Sequence, residues 1–534
     1  MAADELTELK ETEYITEDEP TRSSQGGMSR TQVFTLISVA SVNFGSMICY
    51  SILAPFFPHE VSFGAALTNT VESQSTFIIV CIYMFHPYKY LEALNTLSNM
   101  AFKYQNRLTK ITIEKIFELV GLSQASLRFR DPLNNHGSIQ TQALQKGASQ
   151  TVVGLIFGCY ALSNFIGSLI MGRYIVQIGA KLMLVSGLFV SGGCTIMFGF
   201  LDRAPSGSVF ISLCFIVRSV DAMGFAAAFT SSTALASKVF PHNVATILGS
   251  LQIFTGLGLI LGPPLGGWLY QAAGYELPFL VLGCILLLMV PFNMIVMPSC
   301  DADPSEDSFI KLLRLPKVLL LCFFIFTFSS GLGFLDTTLS LFAMDKFHLS
   351  PSHVGLIFLA FSLPYCLSSP LLGFFADKYP DVRGWFLVSG GLLMALGFCF
   401  LGPAPFFHLP SQLWLTIFML SVNGFGTGIG ITPILPEVIT SAYEQGFVNG
   451  LGTLGMVSGL FGACWSMGML YGPMMGGLLT QHLTFEWAAF IQGGLSGLAA
   501  TLLGFYYLTE RLKKPSDAQE NGITTPGEET TLLA

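Results

Sequence analysis

The chain is short of charge. Lys, Arg, Asp and Glu make up 11% of its 534 residues, against 52% hydrophobic residues. So few ionisable groups cannot solvate a water-soluble globule of this length. No basic stripe is present, which excludes nucleic acid as a partner. The chain also lacks a Gly-Lys-Ser/Thr phosphate loop and a His-Glu-x-x-His pair, so ATP hydrolysis and metallohydrolase chemistry have no residues to carry them. The eleven cysteines are scattered, mostly within apolar runs, at neither disulfide nor metal-ligand spacing. They read as small hydrophobes, and no metal or cofactor is expected. With no nucleophile and base at a useful spacing, the chain does not read as an enzyme. Residues 1–29 lack the basic start and apolar stretch of a signal peptide, so the first apolar run is expected to remain as an anchor.

What is abundant is long apolar sequence. Runs near 32–57, 150–172, 182–201, 208–236, 244–271, 276–298, 317–344, 352–376, 385–404, 412–440, 447–479 and 487–509 are each long enough to cross a bilayer, whose core takes roughly 20 helical residues. The expected class is an all-α polytopic membrane protein with twelve transmembrane helices. The even count puts both tails on one side. Arg173, Lys181, Lys238, Lys311, Arg314, Lys317, Lys378 and Arg383 fall in that side's loops and Arg511, Lys513 and Lys514 follow the last run, against Arg203 and Lys346 opposite. The positive-inside rule makes the tail side cytosolic.

A decapeptide occurs twice at an offset of 210 residues: Gly258, Gly262, Pro263, Gly266 and Gly267 recur as Gly468, Gly472, Pro473, Gly476 and Gly477. Tyr275-Glu276 and Phe485-Glu486 follow at the same offset. Such a period indicates a duplicated six-helix half rather than a solenoid. The expected layout is an acidic cytosolic tail (1–30), a first half (31–298), a polar connector (299–316), a second half (317–509) and a second tail (510–534). Residues 62–146 interrupt the first half on the non-cytosolic side. That segment reads either as a partner-binding domain or as a loosely structured insertion.

Charges inside apolar runs are costly and mark candidate sites. Arg218 and Asp221 sit three apart on one helical face, as either a functional or a self-neutralising pair. Asp336 has no basic neighbour in its own run, so it invites a proton or a cation; a protonated acid bonded to Thr337 is the structural alternative. Glu437, after Pro433 and Pro436, is a further buried acid or a gate residue. Glu276 and Glu486 each open a span, where the helix dipole alone accounts for a carboxylate. In the first run, Asn43, Ser46, Tyr50 and Ser51 dot an apolar stretch with hydrogen-bonding groups that, with Thr337, suit a cavity lining. In the last tail, Glu528, Leu532 and Leu533 form an acidic dileucine pattern of the kind clathrin adaptors read in vesicle sorting.

The repeated decapeptide resembles the fifth-span antiporter motif of the major facilitator superfamily. Two further motifs resemble that family's: Arg218 with Gly224 in the fourth span, and the gate-loop pattern of Gly373, Asp377 and Lys378. The equivalent loop of the first half keeps Gly172, Gly179 and Lys181 but has Val176 where the acid belongs. The first span, Phe334 to Leu339 and Leu261 to Gly267 resemble the vesicular amine transporter family, and its polyamine-transporting branch in particular. Residues 62–146 depart from that branch. Monoamine transporters of the family carry acids where Ser46, Ile431 and Gly462 stand here, whereas Asp336 takes the place of their seventh-span acid.

The resemblance implies the major facilitator fold, two pseudo-symmetric six-helix halves with a midplane site. It further implies proton-coupled exchange, with the fourth-span Arg in the proton step, and a small organic cation, a polyamine such as spermidine or spermine, loaded into acidic secretory, synaptic-like or endolysosomal vesicles. A proton-coupled drug or neutral-solute exporter is the nearest alternative. A non-transporting membrane scaffold or receptor is the alternative of another class.

Overall fold

The computed structural model describes residues 28–53, 150–205, 207–298, 308–349 and 351–520. The segment 62–146, the dileucine pattern and most of the connector lie outside these. So do the side chains of Tyr50, Ser51 and Pro263.

Twelve long helices account for most of the described residues: α1 (Arg30–Leu53), α2 (Gln150–Ile178), α3 (Ala180–Phe200), α4 (Ser208–Val239), α5 (Val244–Ala273), α6 (Glu276–Val296), α7 (Pro316–Phe347), α8 (Pro351–Lys378), α9 (Arg383–Leu401), α10 (Leu413–Ile431), α11 (Leu451–His482) and α12 (Phe485–Glu520). A helix is the form in which a spanning segment satisfies its own backbone donors and acceptors. Each of the twelve is long and apolar enough to cross a membrane. Their outer faces expose Trp268, Leu288, Ile295, Leu367, Leu371 and Phe505, apolar side chains suited to lipid contact. The expected class, all-α and polytopic with twelve spans, is the one observed. The largest extensions beyond the apolar runs are at two helix ends: α2 runs six residues further, to Ile178, and α12 continues to Glu520, since helices extend past the apolar stretch into amphipathic turns. The tenth span is broken after Ile431 and resumes as Ile434–Glu444; Pro433 and Pro436 remove the donors that would have continued it.

Two seams join the halves: α2 packs along α11, and α5 along α8. Inside the halves, α5 packs on α1 and α11 on α7, in each case the fifth span of a half on its first. The glycines explain both. A Cβ on Gly258 would meet Met47 Cβ at 2.6 Å and the Ile48 amide at 3.1 Å; one on Gly472 would strike the Ser330 carbonyl and meet the Phe334 amide at 2.9 Å. Only hydrogen at these positions lets backbone approach backbone.

One end of the bundle gathers the start of α1, where Ser38 donates to Asn293 of α6, and the last part of α12, where Tyr507 donates to Glu437 at 2.9 Å. This is the tail face. At the opposite face, the turn that follows α3 and the start of α6 are tied by Arg203–Glu276 at 2.7 Å, and the end of α7 and the start of α12 by Lys346–Glu486 at 3.3 Å. The helix dipole alone is therefore an incomplete explanation for Glu276 and Glu486, since each acid has a basic partner from elsewhere in the bundle.

Candidate functional site

A cavity of about 690 Å³ lies between the halves. It is lined by Asp221 and Arg218 of α4 from the first half and by Asp336 and Thr337 of α7 from the second. Ser46, Asn164 and Tyr365 add polar groups; Phe157, Phe198, Phe225, Phe279 and Trp465 are among the aromatic residues of the wall. The wall reaches Phe279 in the first turn of α6 and Gln481 in the last turn of α11, the ends that lie at the face opposite the tails.

Toward the tail face, aromatic rings cross from one half to the other. Phe225 stacks on Phe229 at 6.0 Å, Phe229 on Phe461 at 6.2 Å, and Phe461 on Trp465 at 6.1 Å. Phe225 and Trp465 line the cavity, whereas Phe229 and Phe461 lie one helical turn nearer the tail face, outside the lining. Beyond them both seams are closed. On the α5–α8 seam, Asp377 accepts from the Ala245 and Thr246 amides at 3.2 and 2.7 Å and from the Thr246 hydroxyl at 2.7 Å. It thereby caps the first turn of α5. Gly373 lets α8 approach, since a Cβ there would strike the Ala245 carbonyl. Lys378 turns toward the rings of Phe374 and Tyr379, while Arg383 pairs with Asp377 at 3.2 Å.

The α2–α11 seam has no such acid among the described residues. Val176 packs into the core there. The connector contributes instead a short helix, Phe309–Leu313. Its Phe309 ring comes within 3.2 Å of where a Gly172 Cβ would lie, and the Lys311 ammonium sits 4.5 Å from the ring centre of Phe447.

Arg218 and Asp221 pair at 3.4 Å, both buried. Asp221 also accepts from the Ser191 hydroxyl of α3 at 2.7 Å. The guanidinium lies 5.5, 5.5 and 4.6 Å from the ring centres of Phe157, Tyr160 and Phe198. Such contacts stabilise a desolvated cation by about 2 kcal/mol.

Other expected residues are placed elsewhere. Glu437 is not in the cavity wall: it pairs with Lys317 at 2.7 Å and accepts from Tyr507, at the tail-face end of the second half. Asn43 turns its amide onto the Val39 carbonyl at 2.9 Å and does not line the cavity. Of the motif's Gly and Pro positions, Pro473 and Gly477 line the cavity, as do Leu259 of the first copy and Met469, Leu470 and Met474 of the second. Sequence reasoning missed Ser191, Lys317, Tyr507 and the three rings around Arg218. Each acts from a helix remote in sequence, and nothing in its own neighbourhood marks it.

Two overlapping stretches, residues 133–342 and 319–532, match the family described as the Major Facilitator Superfamily. The MFS-type transporter SLC18B1 of Homo sapiens is 46% identical over 519 residues, covering 97% of this chain and 96% of that protein. The vesicular acetylcholine transporter of Drosophila melanogaster is 27% identical over 346 residues, 63% of this chain and 57% of its own. Among solved structures, the human organic anion transporter MFSD10 (TETRAN) matches with a TM-score of 0.56 at 15% identity, covering 88% of this chain and 99% of that one. That last likeness is one of fold.

Proposed function

The chain belongs to the Major Facilitator Superfamily and is a membrane transporter, not an enzyme, and from that premise we propose that it exchanges protons for an organic cation, a polyamine, across the membrane of an acidic vesicle. The observation that carries this reading is the pair of acids, Asp221 and Asp336, contributed by opposite halves to one cavity. A carboxylate in a low-dielectric site binds either an ammonium or a proton. In the proposed cycle Asp336 holds the amine while the cavity faces the cytosol and takes a proton when it faces the acidic lumen, releasing the amine. Arg218 takes part in the proton step by its position beside Asp221. Both tails lie in the cytosol, where Glu528, Leu532 and Leu533 meet a sorting adaptor.

Reconstitution tests it. Liposomes with an acidic interior are expected to accumulate labelled spermidine, to accumulate a monoamine less, and to stop when the pH gradient is collapsed. Accumulation that ignores the gradient overturns proton exchange; accumulation of a neutral solute in place of amines overturns the cargo. The large aromatic share of the wall favours the second reading, export of an apolar drug-like solute, and the same assay separates the two. The non-transporting scaffold is set aside by relatives that are named transporters over nearly the whole chain.

A further inference from the structure

Arg218 is bound unusually for a buried guanidinium. Its five donors suit a bidentate carboxylate. Here a single NH1 contact reaches Asp221 at 3.4 Å, beyond the ordinary N–H···O range, and Nε has no hydrogen-bond partner. What surrounds the cation instead is the rings of Phe157, Tyr160 and Phe198, all within 5.5 Å of the guanidinium carbon and all lining the same cavity. The rings come from α2 and α3, so the fold supplies them independently of α4.

We propose that these three rings form a cage that keeps Arg218 in place without full use of Asp221, so that Asp221 serves as a second ammonium site and selects substrates with more than one cationic centre. This inference rests on the transport reading above and deepens it. Without the rings, a cation taking Asp221 would leave Arg218 buried and uncompensated, which is prohibitive. With them, the guanidinium stays stabilised by the ring quadrupoles while Asp221 turns to the incoming ammonium. Ser191, donating to Oδ1, holds the carboxylate in orientation throughout. Asp336 on the opposite half binds the other ammonium, and the apolar wall between them accommodates the methylene chain. Phe157, Tyr160 and Phe198 are thus positioning residues: they act on the substrate through Arg218.

The test compares cargoes on purified, reconstituted protein: the KM of labelled spermidine and the inhibition of that uptake by octylamine, which has one charge. Neither constant depends on how much protein folds. Phe198→Leu removes the closest ring and keeps an apolar side chain; it is expected to raise the spermidine KM about tenfold and leave octylamine inhibition within about twofold. Phe157→Leu, on a different helix, is expected to do the same, and Phe198→Trp to restore the wild-type KM. Equal changes for both amines, no change for either, or failure of Phe198→Trp to restore KM would overturn the cage while leaving amine transport standing. A wild type that takes up no amine would overturn the transport reading and the cage with it.

Discussion

Asp377 and Thr246 are joined twice, through the backbone amide and the hydroxyl of Thr246, both at 2.7 Å. Asp377 belongs to α8 and Thr246 to α5, so this one carboxylate ties the second half to the first. Replacing it with Ala leaves the first amides of α5 without their cap, a loss of about 1 kcal/mol or more. Hydrogen exchange at Ala245 and Thr246 should quicken by roughly fivefold to tenfold in Asp377→Ala, with exchange in the α9–α12 core unchanged.

Asp336→Asn keeps the shape of the side chain and removes its charge. Proton-driven amine uptake is expected to fall to background while the amount of folded protein stays at the wild-type level, as read by gel filtration in detergent. Asp336→Glu should retain part of the activity. Uptake by Asp336→Asn equal to wild type would remove Asp336 from the cycle.

Glu437 and Lys317 are both nearly buried and 2.7 Å apart. Removing one member strands the other, at a cost of about 3 kcal/mol. Glu437→Gln should therefore lower the thermal unfolding midpoint clearly. Adding Lys317→Met to it should recover most of the loss, because a neutral Gln–Met pair leaves no buried charge uncompensated.

The two decapeptides divide into glycines that touch backbone and glycines that do not. Gly472→Val forces the side chain into Ser330 and Phe334, and overpacking of this kind costs roughly 1–3 kcal/mol. A methyl group added to Gly267 would meet nothing within 4 Å, so Gly267→Ala should leave stability within about 0.5 kcal/mol. Unfolding midpoints of the two purified variants make the comparison.

The sequence alone determined the architecture. Twelve apolar runs each long enough for a bilayer admit only helices, because lipid offers a backbone no hydrogen bonds, and the repeated glycines announced the duplication; that they close α5 on α1 and α11 on α7 came from the tertiary structure. Arg218, Asp221, Asp336, Asp377 and Glu437 were also legible, since a charge within an apolar run stands out. Which of them share a site was decided by the tertiary structure alone. Glu437 and Asp336 look alike in sequence, yet Lys317 neutralises the first and Tyr507 hydrogen-bonds it at the tail face, while the second lines the cavity. In sequence Arg218 is half of a local pair, and three rings from two other helices change what that pair can do. The physical reason is common to both cases: electrostatic partners act over a few ångströms of space, and helices in a bundle bring together residues that chain distance keeps apart.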